Sequence, residues 1–383
     1  VYVNLETNLT IASYFNDNIA PERLLRYLEA STGERIIAGE TLIFFDEIQS
    51  CERALTSLKY FCEETPEFHI AAAGSLLGVA INRQHYSFPV GKVETITMYP
   101  LDFEEYLWAR GKEFLASEIR SAFETMTALP DALHTEATEL YREYLLIGGM
   151  PASINAFLRS GSFLDVSLVQ NEILDNYIAD MAKYATNTDS VKIRACYNSI
   201  PAQLAKDNRK FQYKVVQKGG SASLFGASIE WLYLAGVVLK CQRISQAFEP
   251  ISVYADLSAF KLYMGDVGLL TAKSGLSQQT VLSGEGNTFM GAVTENYVAQ
   301  QLAANGHDLY YWESNNTAEL DFVLQRGNQV MAIEVKKGEH VRSRSLNLFI
   351  GTYHPSCAIR LSLKNFGEKD GLKSVPLYAA FCI

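Results

Sequence analysis

The chain has 383 residues, 48% of them hydrophobic and 20% charged, with a formal net charge of −10. That length supports two or three domains with their own cores, and the composition excludes a disordered or fibrous protein. The longest apolar run, Trp231 to Leu239, is about half of a bilayer span, so no membrane partner is expected. The chain opens directly on Val-Tyr-Val-Asn-Leu without a leader pattern. The six cysteines are scattered without a CxxC pair, and both features point to a cytoplasmic protein with reduced thiols.

Along the first hundred residues, short apolar runs at 2–5, 41–46, 69–73 and 94–98 alternate with helical spacing at 21–29 and 54–63. This pattern predicts a parallel α/β sheet, with a first domain over residues 1–110. Residues 103–184 read as helical and aromatic-rich, broken at Gly148-Gly149-Met150-Pro151, with a helical connector over 111–190. Residues 191–243 hold nine Lys or Arg against two acids, a local basic excess in an acidic chain. A helix, a short helix near 213–218, a third helix over 221–235 ended by Gly236, and a following strand fit a winged helix-turn-helix over 191–265. Lys214, Lys218 and the start of the third helix would then meet phosphate, and a solvated helical face is the competing reading. From Thr288 the order is helix, three strands and a helix, within a last domain over 266–383.

Two places carry chemistry. Thr41-Leu-Ile-Phe-Phe-Asp46-Glu47 is an apolar strand ending in two acids. At the C-terminal end of a central strand, such a pair can give an aspartate to a nucleotide's magnesium and a glutamate to the attacking water. Farther on, two alternating runs flank Gly327-Asn328, a two-residue hairpin signal. A turn there sets Arg326 against Gln329 and Asp321 against Glu334, with Lys336 on the face of Glu334. Leu320, Phe322, Leu324, Met331, Ile333 and Val335 fall on the other face, as core. Two opposed carboxylates require neutralising, and a Mg2+ or Mn2+ ion does this, with Lys336 placed to orient a water. His307, His340 and His354 are isolated and carry no role.

The N-terminal acid pair has context: Phe68-His-Ile-Ala-Ala-Ala-Gly74-Ser75, then Gly91-Lys92, then Met98-Tyr-Pro100-Leu101-Asp-Phe103. In order and spacing the whole chain resembles a bacterial and archaeal family of AAA+ P-loop ATPases with an uncharacterised C-terminal domain of the DUF4143 type. The resemblance implies ATP as ligand, Asp46 on the metal, Glu47 as the catalytic acid and Ser75 as the nucleotide sensor. It also puts arginine where Lys92 stands. No GxxxxGK(S/T) loop occurs in the 383 residues, so the N-terminus looks truncated, and this chain alone is expected not to hydrolyse ATP.

The hairpin with Asp321 and Glu334-Val335-Lys336 resembles the PD-(D/E)xK nucleases, without their proline, since Leu320 precedes Asp321. The resemblance implies a further catalytic glutamate from a preceding helix, and Glu295 stands at that place. The expected fold is thus α/β: a truncated P-loop sheet, a helical connector, a winged helix and a restriction-endonuclease-like domain. Two functions follow. One is an ATPase-family protein acting on DNA through a metal-dependent nuclease-like domain. The other is a non-catalytic nucleic-acid- or partner-binding regulator with a vestigial nuclease fold. Either leaves room for an oligomer.

Overall fold

A computed structural model describes residues 1–74, 89–185, 187–284, 287–314, 318–338 and 344–383. It divides into two compact units, Val1–Met98 with Leu234–Gly236, and Tyr99–Tyr233 with Val237–Ile383.

In the first unit the described elements are β1 (Tyr2–Asn4), α1 (Leu9–Ser13), α2 (Pro21–Thr32), β2 (Leu42–Asp46), α3 (Glu52–Glu64) and β3 (His69–Ala72). The strands pair in parallel in the order β1-β2-β3, with Tyr2 opposite Phe44 and Ile43 opposite Ile70. Val3, Ile43 and Phe45 meet Leu24 and Leu28 of α2 and Leu55 and Phe61 of α3 in one core, which gives each strand its period of two. The strand expected over residues 94–98 does not form. Ile96 is 81% and Met98 93% exposed, so their alternation has no face to bury.

The second unit opens with α4 (Phe103–Ala109), α5 (Glu113–Thr125), α6 (Asp131–Ile147), α7 (Pro151–Ser160) and α8 (Phe163–Tyr184). Asp102 and Glu105 close a reciprocal capping box that starts α4. Next come α9 (Asn187–Leu204), α10 (Tyr213–Val216) and α11 (Ala222–Leu234), then β4 (Val238–Ile244) and β5 (Ala255–Met264). The rest is α12 (Val267–Ser274), α13 (Gln278–Ser283), α14 (Met290–Ala304), β6 (Tyr310–Ser314), β7 (Ala318–Arg326), β8 (Gln329–Val335), α15 (Arg344–Tyr353), β9 (Cys357–Ser362), β10 (Gly367–Lys369) and β11 (Leu372–Pro376).

Eight of these strands form one mixed sheet in the order β10-β11-β9-β8-β7-β6-β4-β5. The β4–β5 hairpin follows α11, where a wing is expected, and β4 also pairs in parallel with β6. The strands ending the 191–265 segment and those of the 266–383 segment therefore build a single sheet. One face, with Trp312, Leu320, Val323, Val330 and Ala332, packs on Leu346 and Phe349 of α15.

Helix α14 is buried nearly all round, polar residues included. Its polar side chains hold the ends of other elements. Asn296 bonds both the amide (2.8 Å) and the carbonyl (3.1 Å) of Met264, closing β5. Gln300 Oε1 accepts from the Val267 amide at the start of α12, and Gln301 Oε1 from the Phe103 amide at the start of α4. The bonds these side chains make tie three elements to one helix, while Gln301 Nε2 is left without a hydrogen-bond partner among the described residues.

Candidate functional site

In the first unit, Asp46 ends β2 beside Asn4 of β1, to which it is paired in register. Its Oδ2 accepts from the Tyr2 hydroxyl (2.5 Å) and from Asn4 Nδ2 (3.2 Å), and its Oδ1 from the Glu47 amide (3.1 Å). These partners are all neutral donors. They orient the carboxylate without cancelling its charge, so its donor set fits a nucleotide's magnesium ion. Glu47 stands at φ 52°, a left-handed conformation rare for a side-chain-bearing residue, and its Oε2 accepts from Gln49 Nε2 at 2.5 Å. Such local strain is found where a turn must present a functional group. Lys92 is ion-paired with Glu63 at 3.0 Å on an exposed face, and this lysine holds the Glu63 carboxyl below the usual range. Ser75 and His340 lie outside the described residues.

In the second unit, β7 and β8 pair with Arg326 opposite Gln329 around Gly327 (φ 59°), the register that the turn predicts. The ladder runs to Phe322 and Ile333. It ends one pair short of Asp321 and Glu334, and there β7 is irregular against β6, since Tyr310 faces Val323 while Trp312 faces Leu320. Two residues of β6 thus span three of β7, a bulge at Asp321 and Phe322. Leu320 therefore falls on the α15 face with Val323, not with Phe322 and Ile333 as an unbroken alternation requires. Asp321 Oδ2 accepts from the Val335 amide at 2.7 Å, so the side chain takes the place of a ladder carbonyl. Glu334 is buried, pairs with Lys336 at 3.0 Å, and among the described residues its Oε2 has no hydrogen-bond partner.

Glu295 is engaged by basic and phenolic partners, and among the described residues it does not form a metal-holding cluster with these two carboxylates. Glu295 of α14 bonds Lys261 (3.0 Å), the Tyr263 hydroxyl and Arg209. Lys261 and Tyr263 lie on the face of β5 turned away from the α15 core, whereas Glu334 follows Ala332 onto the α15 side by the period of two. Among the described residues no three His, Cys, Asp or Glu side chains group as a metal cluster.

What surrounds Glu295 is a buried ion network. Lys261 is fully buried, pairs also with Glu319 (2.5 Å), and sits 4.9 Å from the centre of the Tyr311 ring. A buried charge survives only when paired and bonded, and Lys261 and Glu295 supply that for each other. Next along the strands, Lys210 and Arg243 both meet Glu313, and Arg243 meets Asp256. Four basic residues of the 191–243 segment (Arg209, Lys210, Lys240 and Arg243) are thus held by carboxylates, while Lys214 and Lys218 remain exposed. Lys261 escapes sequence reasoning although it has a signal: a lone lysine inside the apolar run Phe260-Lys261-Leu262-Tyr263-Met264.

Asp266 is another buried carboxylate that the sequence does not flag. It caps α12 through the Leu269 amide (2.9 Å) and accepts from the Gly149 amide (2.6 Å). Burial pushes its carboxyl up to about 6, against the lowering effect of these bonds. The contact explains the Gly148-Gly149 pair. Gly148 stands at φ 73°, and a Cβ on it would lie 2.2 Å from Asp266 Oδ1; one on Gly149 would lie 2.0 Å from the Leu101 carbonyl oxygen.

Comparison with known proteins gives three matches along the chain. Residues 1–107 match an AAA domain, residues 138–280 a domain of unknown function (DUF8612) and residues 290–380 a domain of unknown function (DUF4143). The parallel sheet with an Asp-Glu pair at its strand end lies within the residues that match the AAA domain. The chain thus carries an N-terminal match to an AAA domain and a C-terminal match to DUF4143, as the resemblance implies. Uncharacterized proteins of Mycobacterium tuberculosis and Mycobacterium bovis are each 35% identical over 79 residues, 20% of this chain. The match spans 18% of the length of these curated relatives. Among solved structures, a Walker-type ATPase of Pyrococcus abyssi overlaps with TM-score 0.39 at 15% identity over 66% of both chains. A Vibrio cholerae protein overlaps with TM-score 0.19 at 11% identity, over 98% of this chain and 79% of its own. Neither overlap is close enough to assign anything to this chain. Among the described residues no helix is long and apolar enough to cross a membrane.

Proposed function

We propose that this protein is an AAA-type, nucleotide-responsive regulator that engages DNA through the segment 191–265 and does not cut it with its C-terminal domain. The observation that carries this reading is the capture of Glu295 by Lys261, Arg209 and Tyr263 on the sheet face away from Glu334. Two cations already neutralise the carboxylate that α14 offers to this sheet, and a metal ion there would meet their repulsion. Asp46, by contrast, keeps its charge for the Mg2+ of a bound nucleotide, and Glu47 is the group beside it that would polarise a water. For DNA, the order α9, α10, α11 and the β4–β5 hairpin supports a winged-helix reading. Exposed Lys214 and Lys218 precede the start of α11 and would contact phosphate.

A metal-dependent nuclease is the second reading, and one observation favours it. Among the described residues Glu334 Oε2 is buried without a hydrogen-bond partner, and Asp321 sits across the same hairpin. A Mg2+ or Mn2+ ion shared by the two would satisfy that oxygen, with Lys336 beside it. Labelled duplex DNA with and without Mn2+ separates the readings. The regulator should bind with a steep salt dependence, leave the DNA intact, and lose affinity in Lys214→Ala/Lys218→Ala. Cleavage that needs Mn2+ and disappears in Lys336→Ala would replace it with the nuclease.

A further inference from the structure

Away from Glu295 and the hairpin acids, the second unit has a cavity of about 220 Å3 whose walls include Tyr99, Tyr233, Tyr310, Asp308, Glu230 and Lys240. Tyr310 belongs to β6, Tyr233 to α11 and Lys240 to β4, while Asp308 lies just before β6. Among the described residues the three tyrosine hydroxyls make no hydrogen bond and Asp308 makes no ion pair. Burial raises the phenol of each tyrosine, and the Asp308 carboxylate raises all three further, so the rings stay neutral and keep both a π face and a hydroxyl. Glu230 is only loosely met by Lys240 at 3.7 Å, and that ammonium rests 5.2 Å from the centre of the Phe260 ring.

Phenol faces beside a carboxylate that no protein cation satisfies are a cation receptor. Three phenol rings line the walls, hydroxyls and carboxylates can accept hydrogen bonds, and Asp308 supplies the opposite charge, the Lys240 ammonium on the same wall being drawn toward Glu230 and the Phe260 ring. Of the organic cations, a guanidinium suits the walls best. It is planar, weakly hydrated, stacks on aromatic rings and donates in a fork to a carboxylate. We propose that this cavity binds the guanidinium head of an arginine side chain presented by a partner protein. Neither the ATP-linked acids nor the DNA-facing lysines take part, so the inference stands apart from the function proposed above.

Titration of the full chain with Nα-acetyl-arginine methylamide, followed by calorimetry and by NMR of the tyrosine rings, tests it. The citrulline counterpart has the same shape without the charge and should bind about tenfold more weakly. Asp308→Asn and Tyr233→Ala should each weaken the arginine probe by about tenfold while leaving the melting temperature unchanged, both residues being exposed. Free arginine carries an α-carboxylate that Asp308 and Glu230 repel, and should bind less well than the capped probe. Equal binding of citrulline, full affinity in Asp308→Asn, or no uptake at about 10 mM probe would overturn the site. A preference for free arginine over the capped form would overturn the assignment to a protein partner.

Discussion

Asp46 and Glu295 are both acids that a resemblance marks as site residues, the first on a metal ion and the second in catalysis, yet their surroundings differ in kind. Asp46 is held by a phenol hydroxyl, an amide side chain and a backbone amide, all uncharged. Glu295 is held by a buried lysine and an arginine as well as a phenol. Neutral donors fix an acid's direction and leave its charge for an incoming cation, whereas fixed cations spend that charge inside the fold. The same residue type at a recognisable place can thus be a site in one unit and a structural tie in another.

Substitutions can break this contrast, and the largest effect belongs to Lys261. Lys261→Ala leaves Glu295 and Glu319 facing each other's side of the sheet with their shared cation gone. It should destabilise the second unit by about 3–5 kcal/mol in urea unfolding. Lys261→Met combined with Glu295→Gln should cost less than the two changes separately, because the pair acts as a unit. A cost for Lys261→Ala within error of zero would show that Glu295 does not depend on it.

Asp266→Asn comes next. Both carboxylate oxygens of Asp266 accept backbone amides, and an asparagine has only one such oxygen, so a loss of about 1–3 kcal/mol is expected. The wild type also carries a pH signature. Since the folded carboxyl titrates at about 6, above its ordinary value, its contribution is greatest in acid and is lost as pH rises through 6. Unfolding followed from pH 4 to 7 should show that component in the wild type and not in Asp266→Asn.

Asp46→Asn should be mild, costing about 0.5–1.5 kcal/mol in the first unit, since its partners are neutral and can adjust. A loss as large as that of Lys261→Ala would erase the distinction between the two acids. Lys92→Ala should leave the unfolding midpoint where it is, because both partners of its ion pair face water.

Much of this was legible in the residues themselves. The first three strands, their parallel pairing and the Gly327-Asn328 hairpin follow from apolar periods and turn chemistry, and Asp46 falls at a strand end as expected. The bulge at Asp321 was not legible, since one additional residue in β7 leaves the local pattern intact and shows only in which neighbours Leu320 and Val323 find. Nor was the Glu295 network, whose partners Arg209, Lys261 and Glu319 are distant in the chain and meet only when the sheet closes. Apolar alternation at residues 94–98 misled for the converse reason, since period alone does not provide a partner strand. The Gly148-Gly149 pair announced a close approach without saying that Asp266 and Leu101 were what it approached.

The crowded interior of α14 has a consequence for descent. A helix whose Glu295, Asn296, Gln300 and Gln301 each hold another element in place has little freedom to vary, whatever the protein does. Selection for folding alone would keep that glutamate through long divergence. Its persistence in any relative is therefore no mark of retained chemistry, and a lineage could lose catalysis entirely while its sequences went on resembling those of a working enzyme.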